Sequence, residues 1–328
     1  MEKVKAGIVG YGGLGHVHAG SLVIFDDVQV TCVCDIDPKK FEEKDSEINF
    51  EIKKEKLDIS KVNTYEDFDE MLEKEEIDIL VSALPTDLHA DFAIKALDKG
   101  INVISEKPMS LTVADCQRMI DAKNRSGKEL MIAQCVRFWP EYEYLEKCID
   151  NGRYGKLWSV IMQRTGCYPY SSWFMDGERS GGAVLDLHVH DLDWVNYKFG
   201  PELDSMSAAG IVGTTGKVDD CNVLMKYGDV MVSIRGSWME HASFSCYYKA
   251  NFENATVEYR GEWGEVRVSD KDQATKEVIK IDKPNAYVLE MRYFIDTVKG
   301  LHKNEKCTPE STLQSIALAN KEAEMIIG

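Results

Sequence analysis

From residue 3 to about 127, short unbroken apolar runs alternate with stretches in which apolar residues recur every three or four positions. The runs at 4–9, 28–35, 77–84, 102–105 and 130–133 predict buried strands. The stretches at 14–25, 65–73, 87–99 and 113–126 predict helices, with Leu88 and Phe92 on one face and Gly100 as a stop. Strand and helix alternating in this way make an α/β fold with a doubly wound parallel sheet. The charged segment 42–56 interrupts the rhythm and reads as a solvated surface excursion.

Beyond residue 151 the period changes to alternation, as at 157–165, 222–227 and 230–238, the last two joined by a Gly228-Asp229 turn. Val230, Val232 and Ile234 face one way there, and Met231, Ser233 and Arg235 the other. An antiparallel sheet follows. Two helices close the chain, at 289–299 and from Thr308-Pro309-Glu310, an N-cap followed by proline at the first helical position. The expected division is a first domain over 1–127 and a second over 128–328, with no internal repeat or linker.

A chain of 328 residues with 44% apolar composition can bury two cores. It carries no apolar segment long enough for a signal peptide or membrane span, so a soluble, cytoplasmic protein is expected. Its nine cysteines are odd in number and form no C-x-x-C pair, which fits free thiols in a reducing compartment. A formal charge of -17 argues against nucleic acid or anionic membrane as a partner, because both require a basic face. An anionic ligand therefore needs a local device.

That device follows the first strand. Gly10-Tyr11-Gly12-Gly13-Leu14-Gly15 matches G-x-G-x-x-G and opens a helix, where the glycines admit a pyrophosphate to the first helical amides. Asp35, twenty residues beyond Gly15 at the end of the second strand, can accept hydrogen bonds from adenosine ribose hydroxyls. Its carboxylate would repel a 2′-phosphate, so NAD is preferred over NADP, although Lys39 and Lys40 lie close by in sequence. His16 and His18, at the start of the helix, read as packing.

Further landmarks are Ala83-Leu84-Pro85-Thr86-Asp87-Leu88-His89-Ala90, Ser105-Glu106-Lys107-Pro108 and the run from Gly181-Gly182 through Asp186, His188 and His190 to Asp193. Together with the glycine motif they resemble the Gfo/Idh/MocA family of glucose-fructose oxidoreductases and inositol dehydrogenases, over essentially the whole chain. The resemblance implies an N-terminal Rossmann domain, a C-terminal α/β domain with a large, mostly antiparallel open sheet, and an active site between them. It makes Lys107 the catalytic lysine of an E-K-P motif, and Asp186 and His190 a catalytic pair. Leu84, Pro85, Thr86, His89, Glu106, Lys107 and Tyr287 are expected along the cofactor, Thr86 as a helix cap reaching the ribose. At His188 many members carry a small residue, a departure that bears on substrate identity more than on reaction type.

The chemistry of the same positions agrees. Oxidising an alcohol needs a base for the proton, a cation near the oxygen and a nicotinamide to take the hydride. If residues 183–197 are helical, Asp186 and His190 share a face, with Asp193 a turn further on. Lys107 follows the fourth strand at a carboxyl end, where open α/β sheets bind ligands. A metal site on Asp186, His188 and His190 is set aside, because helical residues two apart face about 200° apart. Arg137, Arg164, Tyr168 and Trp173 are candidates for a polyol pocket, as planar donors and aromatic platforms, and Tyr287 is a further one.

The expectation is a dehydrogenase of a sugar, cyclitol or related polyol. A redox-neutral NAD-dependent glycosidase and a non-catalytic NAD-binding regulator are the alternatives. A homodimer or homotetramer through the uncovered face of the second sheet is also expected.

Overall fold

The apolar runs of the N-terminal half form a six-stranded parallel sheet in a computed structural model that describes residues 3–42, 55–170, 172–271, 276–281 and 285–328. Its strands are β1 (Val4–Val9), β2 (Val28–Cys34), β3 (Asn63–Tyr65), β4 (Ile79–Ser82), β5 (Asn102–Glu106) and β6 (Leu130–Ala133), in the order β3-β2-β1-β4-β5-β6. Helices on both faces explain why the inner strands read as unbroken apolar runs rather than as alternation. The order reverses at β1, so its carboxyl end is the switch point where such sheets bind ligands. Edge strand β3 has three residues and little burial, which leaves no periodicity for a sequence reading to find. Most of the charged excursion, residues 43–54, lies outside the described residues.

Local chemistry fixes the helix ends. Thr112 Oγ1 accepts from Asp115 N at 3.0 Å to start the helix Val113–Ser126, and Gly127 ends it at φ +67°.

The chain forms two compact units, Met1–Cys135 with Pro284–Leu313, and Val136–Lys283 with Gln314–Gly328. A single boundary near residue 127 does not describe this division. The helix Ala286–Val298 belongs with the N-terminal unit because Met291, Phe294 and Ile295 are fully buried there and Arg292 bonds Asp27 at 2.9 Å.

The second unit holds an eight-stranded sheet in the order β14-β13-β12-β11-β7-β10-β9-β8. The strands are β7 (Leu157–Thr165), β8 (Ser205–Val212), β9 (Val218–Tyr227), β10 (Val230–Ser237), β11 (Ser245–Phe252), β12 (Ala255–Arg260), β13 (Glu265–Asp270) and β14 (Lys276–Ile279). The sheet is mixed rather than wholly antiparallel, because the central strands β7 and β10 run parallel. The chain leaving β7 reaches β10 only after a helical crossover and the β8 and β9 strands, a route that permits a parallel return. One face buries Val232 and Ile234 completely, while Met231 on the other face is 49% exposed. A helical segment, a π turn Val184–His188 continued by the α-helix Val189–Phe199, packs on β7, β9 and β10.

Candidate active site

The glycine motif takes its shape from close backbone approach. Gly10 has φ +83°, and a Cβ there would stand 2.4 Å from the Ala83 carbonyl oxygen. A Cβ on Gly15 would fall 2.1 Å from the Gly10 oxygen. Nothing lies within 4 Å of a Cβ on Gly12, and no side chain caps the helix Gly13–Leu22. The motif therefore leaves open space over uncapped amides, beside the half-buried Gly12, Gly13 and Leu14. Asp35 is fixed against this turn, accepting from Tyr11 N at 2.7 Å and Asp37 N at 2.9 Å. Each carboxylate oxygen keeps a lone pair for a ribose hydroxyl. These residues fit a dinucleotide: the amides for its pyrophosphate, Asp35 for its ribose.

The loops after β4 and β5 are tied together by His89. Its Nδ1 lies 2.7 Å from Pro108 O and its Nε2 2.8 Å from Leu84 O. The ring is 1% exposed and does not face solvent. Burial pushes it below the ordinary imidazole range, so the neutral ring donates to one carbonyl at a time. Leu84 and Pro85 are half-buried. Thr86 is buried at the first position of a short 3₁₀ turn, and its hydroxyl caps neither that turn nor the helix His89–Asp98, contrary to expectation. Pro85 and Leu88 occupy the two cap positions instead.

At the end of β5, Glu106 Oε1 lies 2.6 Å from His18 Nε2, and its Oε2 accepts from Lys107 N at 3.0 Å. Burial alone would raise this carboxyl, but the His18 hydrogen bond and the Lys107 charge hold it below the usual carboxylate range. Tyr287 is buried with its ring 5.9 Å from His18. The His16 ring lies tilted against Tyr11, with 4.1 Å between centroids. From Val103 to Ser110 every residue is buried except Lys107.

The segment 182–196 shows the same economy. Every residue in it is buried except Asp186 and His190, one helical turn apart. Part of the expected α-helix is a π turn, a distortion common at functional sites. Its neighbours turn inward to charged partners. Asp193 takes a two-point contact from Arg137 at 2.7 and 2.6 Å and a third bond from Ser315 Oγ at 2.7 Å. Asp191 takes two bonds from Arg164, at 3.2 and 3.0 Å, and one from Tyr142 OH at 3.1 Å. His188 faces Glu322 at 2.9 Å, so it points into the core instead of toward a substrate.

The expected pocket residues therefore fall into two groups. Arg137 and Arg164 are buried, with their guanidinium groups on Asp193 and Asp191, and they hold the helix that carries His190. Tyr168 and Trp173 belong to a partly open aromatic wall. Tyr168 packs on Ala183, Leu187 and Trp238 and donates to Asp219 at 3.1 Å, while Trp173 stacks on Phe174 at 4.0 Å. Sequence reasoning missed Asp191, Asp219 and Glu322, each far along the chain from its partner. All nine cysteines are free, and among the described residues no helix is long and apolar enough to cross a membrane.

Comparison with known proteins adds to this geometry. Residues 4–134 match an oxidoreductase family with an NAD-binding Rossmann fold, and residues 142–263 match the GFO/IDH/MocA C-terminal domain. A myo-inositol 2-dehydrogenase of Thermotoga maritima is 28% identical over 231 residues, which span 68% of this chain and 65% of that protein. A scyllo-inositol 2-dehydrogenase (NAD(+)) of Bacillus subtilis is 27% identical over 231 residues, 70% of this chain and 62% of that protein. The matches thus cover just under two thirds of these relatives' lengths. A solved levoglucosan dehydrogenase in complex with NADH and L-sorbose has the same fold, with a TM-score of 0.84 at 17% identity over 100% of this chain and 97% of that one.

Proposed function

The chain belongs to the Gfo/Idh/MocA family of oxidoreductases, and from that premise we propose that it is an NAD-dependent dehydrogenase acting on a secondary alcohol of a sugar, cyclitol or related polyol. One observation carries the reading. In two otherwise buried segments the fold leaves solvent access only to Lys107 and to Asp186 and His190, the three groups the chemistry requires. Inositol dehydrogenases among the relatives support the substrate class.

NAD, when bound, supplies the hydride acceptor. The chain's own residues do the rest. The uncapped amides after Gly12 and the carboxylate of Asp35 bind the cofactor's pyrophosphate and ribose. The Lys107 ammonium steadies the developing alkoxide, and the His190 imidazole takes the hydroxyl proton. Asp186 orients the imidazole and stabilises its protonated form. Arg137 and Arg164 act through the helix they anchor. Tyr168 and Trp173 offer flat apolar surface to a sugar ring.

The test is NADH absorbance with purified protein and a panel of sugars, cyclitols, sugar acids and glycosides. Net NADH formation with a free polyol is expected, and it separates this reading from a redox-neutral glycosidase, which returns its hydride within the cycle. Glycoside cleavage without NADH accumulation, or no turnover across the panel, would contradict it. A homodimer or homotetramer through the open sheet face around Met231 completes the proposal, checked by light scattering at micromolar concentration.

A further inference from the structure

Inside the C-terminal unit three chemically distinct side chains meet where the proposed reaction has no use for them. His188 comes from the π turn, Cys221 from β9 and Glu322 from the closing helix Pro309–Ile327. All three are completely buried, and one ligand atom from each lies within 4.8 Å of the others. We propose that His188, Cys221 and Glu322 form a closed structural site for one zinc ion.

Two buried atoms make a plain ion pair an incomplete account. Glu322 Oε1 and His188 Nδ1 have no hydrogen-bond partner, although Oε2 and Nε2 face each other at 2.9 Å. A buried ion pair stabilises a fold only when its remaining lone pairs are satisfied. Space has been left for the ring: a Cβ on Gly236 would lie 2.8 Å from His188 Nδ1, so only glycine fits on the facing strand. The Gly236 carbonyl accepts from the Cys221 thiol at 3.6 Å and offers a fourth ligand oxygen.

The donor set suits zinc. Imidazole, thiolate and carboxylate bind it at about 2.0–2.3 Å, which puts tetrahedral ligands roughly 3.2–3.8 Å apart, within side-chain adjustment of the observed cluster. The charges also balance. Without metal, the site holds a thiol, a carboxylate and an imidazole. The two positive charges of the ion would offset the thiolate and carboxylate it binds, and the thiol proton would leave to solvent.

Metal analysis of protein produced in zinc-supplemented medium and purified without chelator tests the proposal. The expected content is about one zinc per chain, lost in both Cys221→Ser and Glu322→Gln while a wild-type circular dichroism spectrum and a cooperative thermal transition show that the variants are folded. Should the variants fail to fold, protein grown with cobalt decides the matter, since a cysteine ligand gives the wild type a thiolate-to-cobalt charge-transfer band. Folded wild-type protein that holds no zinc and shows no such band overturns the proposal, and so does zinc retained in both folded variants.

Discussion

Arg137→Met separates two roles for one guanidinium. The sequence places Arg137 among planar donors for a polyol, whereas the structure commits it to Asp193 in a two-point contact with side chains 0% and 1% exposed. Removing the arginine leaves the Asp193 carboxylate buried with Ser315 Oγ as its remaining strong donor. An uncompensated buried charge of this kind costs about 3–5 kcal/mol. For a cooperative unit of 150–250 residues, roughly 2–4 °C per kcal/mol turns this into a Tm drop of about 6–20 °C. The double variant Arg137→Met/Asp193→Leu removes both charges and should recover much of the loss, giving a clear coupling energy in a double-mutant cycle. Differential scanning calorimetry supplies the Tm values, and urea unfolding the free energies. A Tm within about 2 °C of wild type, together with a raised KM for a confirmed polyol, would refute the structural role and return Arg137 to the substrate.

Two further outcomes follow from buried or fixed carboxyl groups. Glu290 is completely buried with neither oxygen hydrogen-bonded, and burial followed by the Glu106 charge raises its carboxyl well above the ordinary range. Its contribution to stability is full below the unfolded value of about 4.3 and drains away as pH rises through the raised one. The advantage of Glu290→Gln over wild type in urea should therefore grow from pH 5 to pH 8, and an unchanged difference would count against a protonated Glu290. Asp35 should make NADH bind at least roughly tenfold tighter than NADPH, a gap of about 1.4 kcal/mol, and Asp35→Ser should narrow it; fluorescence titration giving equal or tighter NADPH binding to wild type would contradict this.

The residues that bear on local backbone geometry were legible in sequence, and those fixed by distant partners were not. Gly10 and Gly15 announce themselves because a Cβ there would stand only 2.4 and 2.1 Å from the Ala83 and Gly10 carbonyl oxygens. The helix Val113–Ser126 could be read to its last residue because a threonine cap and a left-handed glycine bound it. Asp186 and His190 stand out by helical spacing, and burial of their neighbours gives that spacing its meaning. In contrast, Arg137 pairs with Asp193 across 56 positions, and His188 with Glu322 across 134. No local pattern marks such pairs, so the two arginines looked like free donors and His188 like a determinant of substrate. The parallel pairing of β7 with β10 is likewise a matter of connection, invisible in the alternation of either strand.

The central claim is that Lys107 and His190 act on the transition state while the glycine turn and Asp35 act on the cofactor. Steady-state kinetics on the best polyol of the panel, paired with NADH titration, tests it most directly. Lys107→Ala and His190→Ala should each lower kcat by about 10²-fold or more, the usual scale for a positioned acid, base or charge, while leaving NADH affinity near wild type. Asp186→Asn should fall between them and wild type. Near-normal kcat in both alanine variants would show that the reaction is carried by other groups.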